Sequence, residues 1–401
     1  MRVLFITGEY PIMQGGVGDY TRQLSQALGA RRVDVHVLTD ANAGGDHLRR
    51  PAGAYEPTVH PIIDQEGWAL WGFVLQLCRR LRPDVLHIQY QSAAYGLHGA
   101  VNYLPWRLKV QPNRPRLVTT FHDLRFPYLF PKAGPLRWRA VLALAQGSDA
   151  SVITNPIDWL RLARAGLSGR MFPIPIGSNI YCQPPADYDR ARQRAQWGAG
   201  PDTWLLAYFG FMNAGKGGET LIRALADLAQ AGKPARLLMV GGQVGASDPT
   251  NQAYLARIEQ LIDELGVRER VQWTGFTSSD QVSANLLAAD CAVLPYREGA
   301  SLRHGSLMAA LAHGLPIVST RPPDDVREVA GLFPVLHNAK SALLVSPDDP
   351  AGLAEAVVRL MSDGVLRAQL AQAAKELSHQ FEWNAIAERH VEMYQRLGVS
   401  T

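Results

Sequence analysis

Nine residues in the second half of the chain have the composition needed to hold a phosphate: Gly210-Phe211-Met212-Asn213-Ala214-Gly215-Lys216-Gly217-Gly218. They follow the apolar run Trp204-Leu205-Leu206-Ala207-Tyr208-Phe209, which reads as a buried strand. They precede Glu219-Thr220-Leu221-Ile222-Arg223-Ala224-Leu225, which reads as an amphipathic helix. In such a strand–turn–helix, glycines let backbone N–H groups approach an anion. The helix N-terminus adds partial positive charge and Lys216 supplies a full one. The nucleotide pattern G-x-x-x-x-G-K-[ST] is not met, because Gly217 stands where Ser or Thr would hold Mg²⁺. The expected anion is therefore held without a metal-binding hydroxyl. A solvated surface lysine is the plainer reading of Lys216. The flanking glycines weaken that reading, since they cost helix stability and need a reason.

Three further loops carry chemistry-bearing residues. The first contains Gly15-Gly16-Val17-Gly18, which suits close approach of backbone to a diphosphate, although it lacks the G-x-G-x-x-G dinucleotide spacing. The second is His122-Asp123, directly after the apolar strand Val118-Thr119-Thr120-Phe121. A lone histidine is often structural, but the carboxyl end of a strand is where parallel sheets bind ligands. The third runs over 294–304 and opens the helix that begins Gly305-Ser306; Glu298, Ser301, Arg303 and Ser306 are its polar groups. An exposed loop with incidental charges is the plainer reading there. Gly314 closes the helix as its C′ residue.

These loops need a scaffold, and the pattern around them supplies one. Strands are expected over 3–7, 33–38, 84–89, 117–121 and 150–154, alternating with helices over 20–28, 71–81, 136–146 and 156–165. Asn155 is expected to cap the last of these, with Pro156 in its first turn. The segment 172–179 is Pro-rich and reads as the start of an inter-domain region. A second strand–helix series then runs from 204 to 319, with a late strand at 341–345 and helices over 350–362, 364–380 and 383–397. Repeated strand–helix order implies an α/β protein with mainly parallel sheets covered by helices.

At 401 residues, two domains are expected, and 47% hydrophobic with 19% charged residues is an ordinary globular composition. Cys78, Cys182 and Cys291 are odd in number and far apart, which suggests neither a disulfide framework nor a metal site. The opening Met1-Arg2-Val3-Leu4-Phe5-Ile6-Thr7 reads as a strand rather than a signal peptide, and the expected location is the cytoplasm. Charge is uneven: residues 1–180 hold 20 Lys and Arg against 12 Asp and Glu, whereas the rest hold 20 against 24. Scattered solvated arginines explain this surplus of 8 most simply; an anionic acceptor or the inner face of an anionic membrane is the sharper reading. No nucleic-acid module is visible.

Taken in order, the motifs resemble the retaining glycosyltransferases of family 4, whose GT-B fold consists of two facing Rossmann-like domains. The residues are Gly15-Gly16-Val17-Gly18, the strand at 84–89 and Thr120-Phe121-His122-Asp123. Gly210 with Lys216-Gly217 and Trp273-Thr274-Gly275-Phe276 come next. Ala312-His313-Gly314-Leu315-Pro316 and Phe381-Glu382-Trp383 complete the set. The resemblance implies an acceptor-side domain over 1–180, a nucleotide-sugar domain over 181–383, and a last helix over 384–401 that crosses back to the first. It also implies a nucleotide-diphospho-sugar donor, a hydroxyl acceptor (glycan, lipid-linked or small molecule), no cofactor and no metal. By the same analogy Lys216 neutralises the donor diphosphate, helped by Asn213, Ser301, Arg303, Gly305 and Ser306. Gly15 and Gly16 bring backbone N–H groups to the donor, His122 sits beside the donor sugar, and Gly275-Phe276 flank the base.

The chain departs from the family at two places. Phe211 stands where an arginine is usual. The family's two glutamates, with seven residues between them, fall by count on Ser301 and Ala309. Glu298 replaces the first only if the loop is longer, and Ser306 is the nearest polar group to the second. These departures keep other readings open: a catalytically silent binding or scaffold relative, or a sugar-nucleotide epimerase or phosphorylase on the same fold.

Overall fold

The structure is a computed structural model that describes residues 1–400 apart from 14, 44–54, 65–66, 126–133, 135, 179–180, 243–248, 303 and 330. The chain divides into two compact units, one formed by Met1–Gly177 with Glu382–Thr401 and the other by Ser178–Phe381.

The first unit contains β1 (Arg2–Ile6), α1 (Gly16–Ala30), β2 (Asp34–Asp40), β3 (Thr58–Ile63), α2 (Leu70–Leu81), β4 (Val85–Tyr90), α3 (Ala100–Lys109), β5 (Arg116–Phe121), α4 (Leu136–Gly147), β6 (Ala150–Ile153), α5 (Pro156–Ala163) and β7 (Met171–Pro173). The sheet is parallel throughout, in the order β3-β2-β1-β4-β5-β6-β7. Helices cover both faces, which is why all six residues of β4 are buried. The order reverses at β1 and β4. Right-handed crossovers then place α1 on one face and α2, α3 and α4 on the other. The last helix, Trp383–Arg396, packs on α1. Together they bury Trp383, Ile386 and Tyr394 with Tyr20, Leu24 and Leu28 against Val3, Phe5 and Val85. Two contacts fix that helix. The Tyr394 hydroxyl lies 2.6 Å from Nδ1 of His87 in β4. At Gly177 a Cβ would fall 2.5 Å from the Trp383 indole, so only glycine fits.

The second unit contains α6 (Arg190–Gln196), β8 (Trp204–Phe209), α7 (Gly218–Gln230), β9 (Ala235–Val240), α8 (Pro249–Glu264), β10 (Val271–Trp273), α9 (Ser279–Ala288), β11 (Cys291–Leu294), α10 (Gly305–Ala312), β12 (Ile317–Thr320), β13 (Leu343–Val345), α11 (Pro350–Ser362) and α12 (Gly364–Ser378). Its parallel sheet has the order β10-β9-β8-β11-β12-β13, so the winding reverses between β8 and β11. In open parallel sheets, ligands bind beyond the carboxyl ends of the strands at such a reversal. The reversal strands β8 and β11 are the ones that lead into the loops at 210–217 and 295–304.

Several elements differ from expectation for physical reasons. Strand β3 carries Pro61 and lies at the sheet edge, where a missing N–H is tolerated. Strand β7 is likewise an edge strand, ending in Pro173, so part of the Pro-rich segment joins the first sheet. Helix α3 contains Pro105, which obscures its periodicity. Short α6 begins at a real N-cap, Asp189, whose carboxylate accepts from Arg192 N at 2.7 Å. The expected Asn155 cap is present, accepting from Asp158 N at 2.9 Å.

Candidate functional site

At the second unit's reversal point the loops after β8 and β11 are joined by backbone. Arg297 N donates to Gly215 O at 3.0 Å. Gly217 has φ +70° and caps α7. A Cβ there would meet Pro295 O at 1.9 Å, so both conformation and space demand glycine. Gly210, at φ +116°, ends β8 opposite Ser306, whose Cβ lies 3.9 Å from where a Cβ of Gly210 would stand.

The Lys216 ammonium lies 4.8 Å from the centroid of the Tyr296 ring. That ring is fully buried and stacks on His304 at 3.8 Å between centroids. The Tyr296 hydroxyl is 2.7 Å from Ser306 Oγ, in the first turn of α10. Burial holds the Lys216 pKa below its ordinary value. Among the described residues no carboxylate pairs with it. The first turn of α10 contains no acid either. A half-buried cation and a helix N-terminus with no acid in its first turn therefore meet over one buried tyrosine. An anionic oxygen 4 Å from the ammonium would gain about 4 kcal/mol at an effective dielectric near 20.

The remaining expected donor residues surround this cluster unevenly. Asn213 begins the short turn that ends at Lys216, and its carbonyl accepts from Lys216 N at 3.0 Å. Gly305 is the first residue of α10 and faces open space. Ser301 accepts a backbone bond from His304 N at 2.9 Å, which shapes the approach to the helix. Glu298 is exposed, and Arg303 lies outside the described residues. Ala309, which occupies the second glutamate position by count, is fully buried on α10. Gly275 has φ +67° and forms a bridge with Gly241, where Gly241 N donates to Thr274 Oγ1 at 3.0 Å. The Phe276 ring beside it is 88% exposed. Phe211 is also exposed, its ring against Gly242.

The first unit has its own reversal point, between β1 and β4, and the loop after β1 is arranged differently. Glu9 Oε1 accepts from Val17 N at 2.9 Å and Gly18 N at 3.1 Å. The chain's own carboxylate thus occupies the α1 N-terminus. A Cβ on Gly15 would stand 2.2 Å from that carboxylate, whereas one on Gly16 would meet nothing within 4 Å. His122, after β5, has Nε2 2.8 Å from Gln89 Oε1 and its ring edge-on to Tyr20 at 4.7 Å. Burial, with a contribution from nearby His390, depresses its pKa to about 3. It is neutral at pH 7, and the Gln89 contact leaves the Nδ1 lone pair as its acceptor. A small cavity of about 40 Å³ lies between the ends of β1, β2 and β4, lined by Gly8, Asp40, Tyr95 and His98.

Lys216, Gly210, Gly305 and Ser306 thus form one cluster in the second unit. Gly15, Gly16 and His122 lie at the carboxyl edge of the first. Sequence reasoning missed Tyr296, the platform under Lys216, and Glu9, the ligand of the α1 N-terminus. Tyr296 had a positional signal, since it stands two residues beyond the apolar strand that ends at Leu294. Glu9 had a weaker one, an acid at a strand end before a glycine pair.

Two parallel doubly wound sheets, each with a glycine-rich loop opening on a helix at its reversal point, define a GT-B protein. The comparisons identify which kind. Residues 14–175 match the model of glycosyltransferase family 4, and residues 189–377 match that of glycosyl transferases group 1. The chain belongs to the retaining glycosyltransferases of family 4, enzymes that transfer sugar from a nucleotide-sugar. It is 28% identical over 415 residues to a D-inositol 3-phosphate glycosyltransferase of Corynebacterium diphtheriae, covering 96% of this chain and 92% of that one. It is 29% identical over 429 residues to the Corynebacterium jeikeium enzyme of the same name, covering 99% and 97%. Among solved structures, Anabaena HepE in complex with UDP and glucose superposes with a TM-score of 0.71 at 19% identity, covering 99% of this chain and all of that one. A Rickettsia africae glycosyltransferase superposes at 0.73 and 16% identity, covering 100% and 99%.

Proposed function

We propose that the second unit binds the diphosphate of a nucleotide-activated hexose, and that the sugar passes to a hydroxyl acceptor taken by the first unit. The carrying observation is the half-buried Lys216 ammonium, with no carboxylate paired to it among the described residues, beside the acid-free N-terminus of α10. In this reading Lys216, Gly305, Ser306 and the backbone after Gly210 receive the phosphates. Asn213, Glu298, Ser301 and Arg303 border them. Gly275 and Phe276 flank the base. Gly15 and Gly16 approach the donor from the first unit, and His122 accepts a hydrogen bond from a sugar hydroxyl through Nδ1.

The reaction breaks the bond between the anomeric carbon and the phosphate oxygen and forms one from the acceptor oxygen on the same face. The departing phosphate oxygen takes the proton of the attacking hydroxyl. Lys216 and the α10 N-terminus stabilise the charge that develops on the leaving group, so the protein supplies positioning and electrostatics. The cation is a side chain, and the expected rate is independent of divalent metal. HepE, solved with UDP and glucose, makes UDP-glucose the first donor to try. The relatives' name makes D-inositol 3-phosphate the first acceptor. The test is release of nucleoside diphosphate from a panel of sugar nucleotides with and without that acceptor. Turnover unchanged by chelator supports the reading; loss of all turnover with chelator, restored by a divalent ion, contradicts it.

A further inference from the structure

The two faces of the first unit's sheet are dressed differently. Helices α2, α3 and α4 contain no Asp or Glu, yet carry Arg79, Arg80, Arg107, Lys109, Arg137 and Arg139. From residue 67 to 147 the chain has 11 Lys and Arg against two Asp and no Glu. On the opposite face, α1 and the last helix mix signs: Asp19 with Arg22, and Glu388 and Glu392 with Arg389 and Arg396. Cations in the last turns of α2 and α3 suit the helix dipole. The dipole explains neither the missing acids nor the aromatic side chains among the cations.

Those side chains form a ladder. Trp68 meets Trp71 edge-on at 4.9 Å and lies parallel to Tyr103 at 6.3 Å, and Tyr103 meets Trp106 at 4.7 Å. Trp68 is 51% exposed and Trp106 57%, while Val110, just past α3, is 70% exposed. Among the described residues, no carboxylate is within ion-pair distance of Arg79, Arg82, Arg107, Lys109, Arg116 or Arg139. Where α2 and α3 end, an open groove of about 1010 Å³ is lined by Leu75, Leu108 and Val399 and by Arg79, Arg82 and Arg116, with Asp84 its one acid.

We propose that the α2–α3–α4 face docks on the surface of an anionic lipid bilayer. Tryptophan and tyrosine favour the headgroup boundary, where an apolar ring and a polar tip are both accommodated. Lysine and arginine are drawn there by acidic headgroups. The groove lined by Arg79, Arg82 and Arg116 is sized for phosphate headgroups. A single-stranded nucleic acid would need open ring faces for base stacking. Here Trp68 and Tyr103 turn their faces toward each other, and aliphatic Val110 stands beside the ladder. No helix among the described residues is long and apolar enough to cross a membrane, so the contact lies along the surface.

The test is co-sedimentation of the full chain with vesicles of phosphatidylcholine alone or with about 30% phosphatidylglycerol as the anionic lipid, at low and high salt. The expected result is binding to the anionic vesicles only, lost at high salt. The pair Lys109→Glu with Arg139→Glu lowers the partition coefficient at least about tenfold, and Trp106→Ser lowers it several-fold. Arg396→Glu, on the opposite face, leaves it within about twofold. Unchanged melting temperatures show that each variant is folded. Three results overturn the proposal: no binding to anionic vesicles, binding unaffected by the α3 and α4 variants, or displacement by single-stranded RNA with Trp106→Ser without effect. Partitioning is measured without nucleotide, so its failure is distinct from failure of the donor reading.

Discussion

The loops after β1 and β8 share one design and reach opposite electrostatic ends. Each leaves a strand at a reversal point, turns through glycines and opens a helix. After β1, the Glu9 carboxylate accepts from Val17 N and Gly18 N and fills the helix N-terminus. After β8, Gly217 caps the helix without a side chain, and Lys216 points its ammonium at Tyr296 with no carboxylate beside it among the described residues. A glycine-rich strand–helix turn is therefore not an anion site by virtue of its glycines. What decides is whether the chain has already spent the positive end on a group of its own. That criterion favours the second unit as the proposed anion site, and an anion reaching α1 must share it with Glu9.

The comparison can be broken or sharpened by variants. Lys216→Ala should have the largest effect, lowering kcat/KM for the sugar nucleotide by about 10²–10³, the magnitude of losing one preorganised charge partner of the leaving group. A loss under tenfold would show that the anion lies elsewhere. Gly217→Ala should come next. It forces a left-handed alanine at a cost of about 1 kcal/mol and drives its Cβ into the Pro295 carbonyl. The expected outcome is a lower melting temperature together with weaker donor binding. Glu9→Ala should behave oppositely to both. It removes the α1 cap and lowers stability by about 1 kcal/mol in denaturant titration, yet leaves nucleoside diphosphate affinity within about threefold.

The last effect concerns acid. Burial lowers the pKa of His390 to about 4 and that of His122 to about 3, and holds His87 well below its usual range. Their unfolded values lie near 6.5, so between the two values the unfolded chain binds more protons. Stability is therefore full above about pH 6.5 and falls as the pH drops toward the folded values. For His390 the loss at pH 5 is about 2 kcal/mol. Denaturant midpoints at pH 7.5 and 5 check this, and His390→Gln should flatten the slope. The same argument keeps His122 neutral across the working range, so catalysis should show no inflection that His122→Gln removes.

The same contrast explains what was legible in the sequence. The apolar run before Gly210 and the glycines around Lys216 are local signals, and they placed the Gly210–Gly217 loop between a strand and a helix correctly. The reversal of strand order emerged only from pairing, because β8 and β11 are about 85 residues apart and no local pattern records which strands are neighbours. Strands β3 and β7 escaped notice because Pro61 and Pro173 argue against central strands; edge positions tolerate both. Tyr296 looked like an ordinary loop aromatic until packing put its ring beneath Lys216 and its hydroxyl on Ser306. Glu9 was hidden because its partners are backbone N–H groups, which leave no residue-type signature. Phe211 and Ala309 were visible as departures, and the structure gives them physical content. One is an exposed ring against Gly242, and the other is fully buried on α10.

The most direct test is calorimetric titration of UDP, GDP and ADP into the wild-type protein, Lys216→Ala and Glu9→Ala. The account predicts that at least one nucleoside diphosphate binds the wild type and Glu9→Ala alike, and that Lys216→Ala weakens it by about 10² or more. Equal binding by wild type and Lys216→Ala, or binding that appears only when Glu9 is removed, would place the anion at the first loop and contradict it.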